Sequence, residues 1–161
     1  MIVVDCTVVA DFFIGDTNDQ KSAEALLEMD PDWISPVLWR YEFGNVLRTQ
    51  VRSGKISLDL MGRYLRSAES LVVESVVDLD AVAVGKIAHY RDLSFYDASY
   101  IWLGQARGLS FYSRDGKLRR KCPDLVLPLP SAGCRSSRTS QIALRLSWRF
   151  GSSPGLSLIH I

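Results

Sequence analysis

The sequence predicts an α/β fold: a central parallel sheet of about five strands flanked by helices on both faces. Three observations carry that expectation. Short apolar, β-branched runs alternate along the 161 residues with longer stretches of helical period, so successive strands must be joined by right-handed crossovers. Ser, Asp and Gly stand where those helices should begin and end. Four acids, Asp5, Glu42, Asp97 and Asp115, fall at or beside element ends, and a parallel sheet gathers such positions along the rim at the carboxyl ends of its strands.

In chain order, residues 2–4 read as a short buried strand. Residues 7–14 read as a helix with Val8, Val9, Phe12 and Phe13 as its apolar stripe, and a second helix spans 19–29 with Ala23, Leu26 and Leu27 inward. Trp33-Ile-Ser is a brief strand, after which Ser35 is expected to cap, and Pro36 to open, a helix reaching about Arg52 and stopped by Gly54. Ser57 starts another helix. Residues 71–76 are β-branched enough for a strand, and Asp78 is the expected N-cap of a helix ending near Tyr90. Ser94 caps a markedly apolar helix that Gly108 terminates; residues 109–113 form a strand, 115–120 a short helix and 125–127 a last strand.

At 47% hydrophobic content the chain can bury one core. We read residues 1–130 as one domain and 131–161 as a Ser/Arg-rich tail, disordered or foreign to the domain, with a native basic arm that attracts RNA as the alternative. The tail holds eight serines, four arginines and no acid, leaving 15 basic against 18 acidic side chains before it, a net of −3. That balance excludes a broadly basic nucleic-acid binder. Any RNA contact must come from local patches such as Arg114, Lys117, Arg119, Arg120 and Lys121, a run that equally suits a solvated helix face. Cys6, Cys122 and Cys134 have neither zinc nor disulfide spacing, which fits a reducing, cytoplasmic setting. No Lys or Arg precedes Asp5, against a signal peptide, and no run has the roughly 20 apolar residues of a membrane helix.

Each acid has a structural and a chemical reading. Asp5 ends a buried strand, where a carboxylate costs several kcal/mol unless compensated, yet it also suits an N-cap. Glu42 shares a helix flank with Asn45 at i, i+3 spacing, where the two can hold a metal and orient its water; an exposed helical Glu is equally commonplace. Asp97 follows Ser94 in a loose capping box, and Asp115-Gly is an ordinary turn. Thr7 and Ser113 place hydroxyls beside Asp5 and Asp115. Gathered on one rim, four carboxylates repel one another unless a divalent cation binds, and oxygen-only ligands select hard ions such as Mg²⁺. His89 and His160 have no partner pattern.

The segments Val3-Val-Asp-Cys-Thr-Val, Tyr41-Glu-Phe-Gly-Asn-Val-Leu, Leu93-Ser-Phe-Tyr-Asp-Ala-Ser-Tyr and Ser113-Arg-Asp-Gly-Lys-Leu make residues 1–130 resemble the PIN-domain ribonucleases, especially the VapC-type toxins of prokaryotic toxin–antitoxin pairs. The third segment is the most specific. The resemblance implies a PIN-like three-layer sandwich and a Mg²⁺- or Mn²⁺-dependent endoribonuclease, usually homodimeric and silenced by a cognate antitoxin. It makes Asp5 and Asp97 the principal metal ligands, Glu42 and Asp115 the supporting pair, and Thr7 and Ser113 the accompanying hydroxyls. In that chemistry the cation acidifies a water for in-line attack on phosphorus. The tail has no counterpart in the family.

Three other functions were weighed. A haloacid-dehalogenase-type phosphatase needs a second acid two residues after Asp5, where this chain has Thr7. A catalytically idle RNA- or antitoxin-binding module has no need of all four acids. A solitary PIN nuclease of RNA processing shares them, and differs from a toxin in lacking an adjacent antitoxin.

Overall fold

The computed structural model describes residues 1–131. From Ala132 on, the expected tail lies outside the described residues, and with it Cys134 and His160. Five strands form one parallel sheet: β1 (Ile2–Val4), β2 (Trp33–Pro36), β3 (Val72–Val76), β4 (Phe111–Tyr112) and β5 (Val126–Leu127), in the order β3-β2-β1-β4-β5. β1 is central because Ile2, Val3 and Val4 are all buried, and Val3 lies level with Ile34 on one side and Phe111 on the other. The helices are α1 (Cys6–Ile14), α2 (Thr17–Met29), α3 (Trp39–Arg52), α4 (Leu58–Leu71), α5 (Ala81–Arg91), α6 (Phe95–Arg107) and α7 (Gly116–Lys121). No described helix is long and apolar enough to cross a membrane.

The chain moves outward from β1 through β2 to β3, then returns past β1 to β4 and β5. Right-handed crossovers in opposite directions put α1 to α4 on one face and α5 to α7 on the other. The order reverses between β1 and β4, the position where open parallel sheets leave a crevice at their carboxyl ends. Asp5 follows β1 and Ser113 follows β4, so both stand at that crevice.

Large side chains lock this frame. Trp33, Trp39, Phe43, Tyr100 and Phe111 are buried, Phe12 meets Trp33 edge to face, and Tyr100 stacks on Phe111 at 5.7 Å. Fully buried aliphatics such as Leu26, Ile34, Leu47 and Leu103 contribute about 1.5–3 kcal/mol each. A few of them therefore offset the several kcal/mol that one buried carboxylate costs.

Several element boundaries differ from expectation. Ser35 caps no helix: it is buried in β2, level with Ser75, and its hydroxyl donates to the Val4 carbonyl. Pro36 closes that strand, and α3 begins at Trp39 without a side-chain cap, its indole N–H donating to Ser75 Oγ at 2.8 Å. Pairing in the middle of the sheet outweighed the local capping signal. α2 begins at Thr17 rather than near Asp19, capped by Asp16, and Asp80, not Asp78, caps α5, each cap accepting two backbone N–H bonds. Gly108 ends α6 with φ of +62°, the left-handed conformation that favours glycine.

Candidate active site

Asp5 sits where the central strand meets α1, and its carboxylate is almost wholly enclosed, with 6% of the residue exposed. Oδ1 accepts from the Thr7 and Val8 amides at 3.0 and 3.2 Å and from the Thr7 hydroxyl at 2.5 Å. Oδ2 accepts from the Ser113 hydroxyl. Asp5 is therefore a helix cap as well as a candidate site residue. Burial pushes its carboxyl above the usual carboxylate range, outweighing the Ser113, Thr7 and Val8 hydrogen bonds that favour the ionised form. Among the described residues, no cationic side chain contributes to that balance.

Each hydroxyl on Asp5 is itself aimed by a backbone amide of the turn after β4. Arg114 N–H donates to Thr7 Oγ1 at 3.0 Å, and Asp115 N–H donates to Ser113 Oγ at 2.9 Å. With those amides filling an acceptor position on each oxygen, the hydroxyl hydrogens are left to point at Asp5. Asp115 caps the six-residue α7, accepting from the Lys117 and Leu118 amides at 2.7 and 3.1 Å. The same turn thus carries an acid and anchors another.

Glu42 lies in the first turn of α3 and turns inward, where it accepts from the Tyr100 hydroxyl of α6. Its carboxyl is pushed up first by burial and then by the charges of Asp5 and Asp97, against the pull of the Tyr100 bond. Burial and the Glu42 charge push the Tyr100 phenol up in turn, so it remains a donor. Asp97, in the first turn of α6, accepts from Ser94 Oγ at 2.7 Å while its own amide donates back to that oxygen at 3.0 Å. An acid at the start of a helix also meets the positive end of the helix dipole.

The Glu42 carboxyl therefore feels the charges of both Asp5 and Asp97, and the backbone amide of Asp115 is tied to Asp5 through Ser113. Cys6, buried beside them, has its thiol pushed up by burial, Glu42 and Asp5, which makes it inert packing. Asn45, one turn after Glu42 on α3, is exposed, while Glu42 is half-buried against Tyr100. Among the described residues, no three Asp, Glu, His or Cys side chains stand close enough to hold an ion as they are. Instead Asp5 accepts from the Thr7 and Ser113 hydroxyls, Glu42 from Tyr100 and Asp97 from Ser94, while Asp115 is held by the amides of α7.

Tyr100 was not expected at the site. Its position three residues after Asp97 on one helix was the available signal, since i, i+3 side chains share a face. The expected basic patch is also partly spoken for. Arg114 pairs with Asp11 at 3.2 Å and with Asp19, and Lys121 pairs with Asp92, while Lys117 and Arg120 are exposed.

The PIN domain family model matches residues 2–122. The chain belongs to the PIN domain family. That match takes in every strand except β5 and all four acids. Among curated relatives, this PIN domain is 34% identical over 82 residues to a protein of Pyrobaculum aerophilum named Exonuclease VapC9; the similarity covers 50% of this chain and 60% of that protein's length. Among solved structures it is similar to PAE2754 of Pyrobaculum aerophilum, with a TM-score of 0.63 and 21% identity over 91% of this chain and 96% of the other. At that identity the likeness speaks for the fold.

Proposed function

We propose that this PIN domain is a divalent-metal-dependent ribonuclease that hydrolyses RNA phosphodiester bonds, the toxin of a type II toxin–antitoxin pair, active in the cytoplasm as a homodimer. One observation carries the reading: an enclosed Asp5 at the switch point of the sheet, with Glu42 and Asp97 raising rather than relieving the local charge and, among the described residues, no cationic side chain answering Asp5 or Glu42. A hard divalent ion fits that donor set, which offers only carboxylate and hydroxyl oxygens. Asp5 and Asp97 would hold Mg²⁺ or Mn²⁺, supported by Glu42 and Asp115, and the ion would supply Lewis-acid charge at the phosphodiester and acidify water.

The chain's own residues set the stage for that chemistry. Thr7 and Ser113 fix both oxygens of Asp5, Tyr100 holds Glu42, and Ser94 holds Asp97, so the acids are pre-aimed by hydroxyls that cost little reorganisation. Exposed Lys117 and Arg120 lie on the helix that Asp115 caps and offer charge to the RNA backbone.

The relative named an exonuclease favours a second reading of where the RNA is cut. A circular single-stranded RNA and its linear counterpart, incubated with the protein in Mg²⁺, Mn²⁺ or excess chelator, test both points. We expect both RNAs to be cleaved with metal and neither with chelator. Cleavage of the linear form alone assigns exonuclease action, and full activity in chelator removes the metal-dependent reading.

A further inference from the structure

We infer that Arg114 is a positioning residue of the acid site, a clamp that ties the turn carrying Ser113 and Asp115 to the α1–α2 corner. The guanidinium is paired with two acids: Nε lies 3.2 Å from Asp11 Oδ2 on α1, a charge contact outside hydrogen-bond geometry, and Nη1 contacts Asp19 Oδ1 on α2. Those two acids are brought together by a tight corner at Gly15, where a Cβ would fall 2.6 Å from the Asp11 carbonyl oxygen and 2.9 Å from Asp19 Cβ. Glycine is what lets the helices approach this closely.

The consequence reaches the site through the backbone. Arg114's own amide orients Thr7, and the next amide, of Asp115, orients Ser113; those two hydroxyls engage the two oxygens of Asp5. A guanidinium paired with both helices restrains the residue whose peptide groups aim both hydroxyls. The Arg side chain is thus spent on α1 and α2 rather than offered to a phosphate. Such outer partners orient a ligand without touching the ion.

The inference rests on the reading of Asp5 as a cation ligand, and its test separates the two. Arg114→Gln, Arg114→Lys and the double variant Asp11→Asn/Asp19→Asn are compared with the unaltered protein by amide hydrogen exchange without metal, by Mn²⁺ calorimetry and by kcat and KM on single-stranded RNA. Arg114→Gln and the double variant are expected to speed exchange at the 114 and 115 amides, weaken Mn²⁺ about tenfold and lower kcat with KM little changed. Arg114→Lys is expected to retain most of each. Unchanged exchange and Mn²⁺ affinity in the double variant overturn the clamp, and that variant decides the matter should Arg114→Gln fail to fold. A raised KM in Arg114→Gln with a lowered KM in the double variant also overturns it, because freeing the arginine would then have improved RNA binding. If the unaltered protein neither binds Mn²⁺ nor cleaves RNA, the nuclease reading falls while the exchange measurement still tests the clamp.

Discussion

Ser113, at the end of β4, donates its hydroxyl hydrogen to Asp5, at the end of β1 and 108 residues earlier in the chain. This bond spans the switch point of the sheet and ties the first acidic segment to the fourth. It is also the strongest of the hydrogen bonds holding the Asp5 carboxyl down against burial. Ser113→Ala should therefore raise the Asp5 pKa further, cost about 1–3 kcal/mol of stability for a buried acceptor left short of a partner, and weaken Mn²⁺ binding about 10–100-fold. Denaturant titration and calorimetry on the same sample check both.

Tyr100 does two separable jobs, packing on Phe111 and donating to Glu42. Tyr100→Phe keeps the ring, stacked at 5.7 Å and 8° on Phe111, and should cost only about 1 kcal/mol of stability while lowering cleavage at least about tenfold. Tyr100→Ala empties the core position and should cost about 3–5 kcal/mol. Equal activity of the phenylalanine variant and the unaltered protein would leave Tyr100 a packing residue alone.

Stability without metal should fall as pH rises through the mildly acidic range. Burial, with Asp19, Asp5 and Asp16 adding to it against Arg114, pushes the Asp11 carboxyl from 3.8 to about 6, and Asp5 and Glu42 are raised as well. The folded state then holds protons that the unfolded chain has already released. That contribution is fully present below the unfolded values and is lost as pH climbs through the folded ones. The lowered carboxyls Asp16, Asp92 and Asp124 act oppositely, but below 3.8 and outside this window. Urea unfolding in chelator at pH 5.0, 6.0 and 7.0, chosen as about one unit either side of the Asp11 value, should show decreasing stability, with a flatter profile in Asp11→Asn.

Divalent ion should restore what pH removes. At about 100 times its Kd, Mg²⁺ or Mn²⁺ bound only by the folded state adds about 2.7 kcal/mol. We expect that gain at neutral pH in the unaltered protein and not in Asp5→Asn, read as a shift in thermal midpoint.

The alternation of strands and helices was legible because both leave periodic patterns, and Ser57, Ser94 and Gly108 cap as their types dictate. Ser35 and Pro36 misled because a helix-start signature there is overridden by pairing with β1 and β3 in the sheet interior. The four acids could be picked out by position at element ends. What the chain order concealed were the partners: Tyr100 lies 58 residues from Glu42, and Arg114 lies on a different element from Asp11 and Asp19. Such contacts depend on how the sheet is wound, which no local window reports. The Asp97 to Tyr100 spacing was the exception, readable on one helix face.

Isothermal titration of Mn²⁺ into the unaltered protein and into Asp5→Asn, with circular dichroism confirming the fold of each, tests the central claim that these carboxylates form one divalent-cation site. Saturable binding that disappears in folded Asp5→Asn is the predicted result. Undiminished binding in that variant would contradict it.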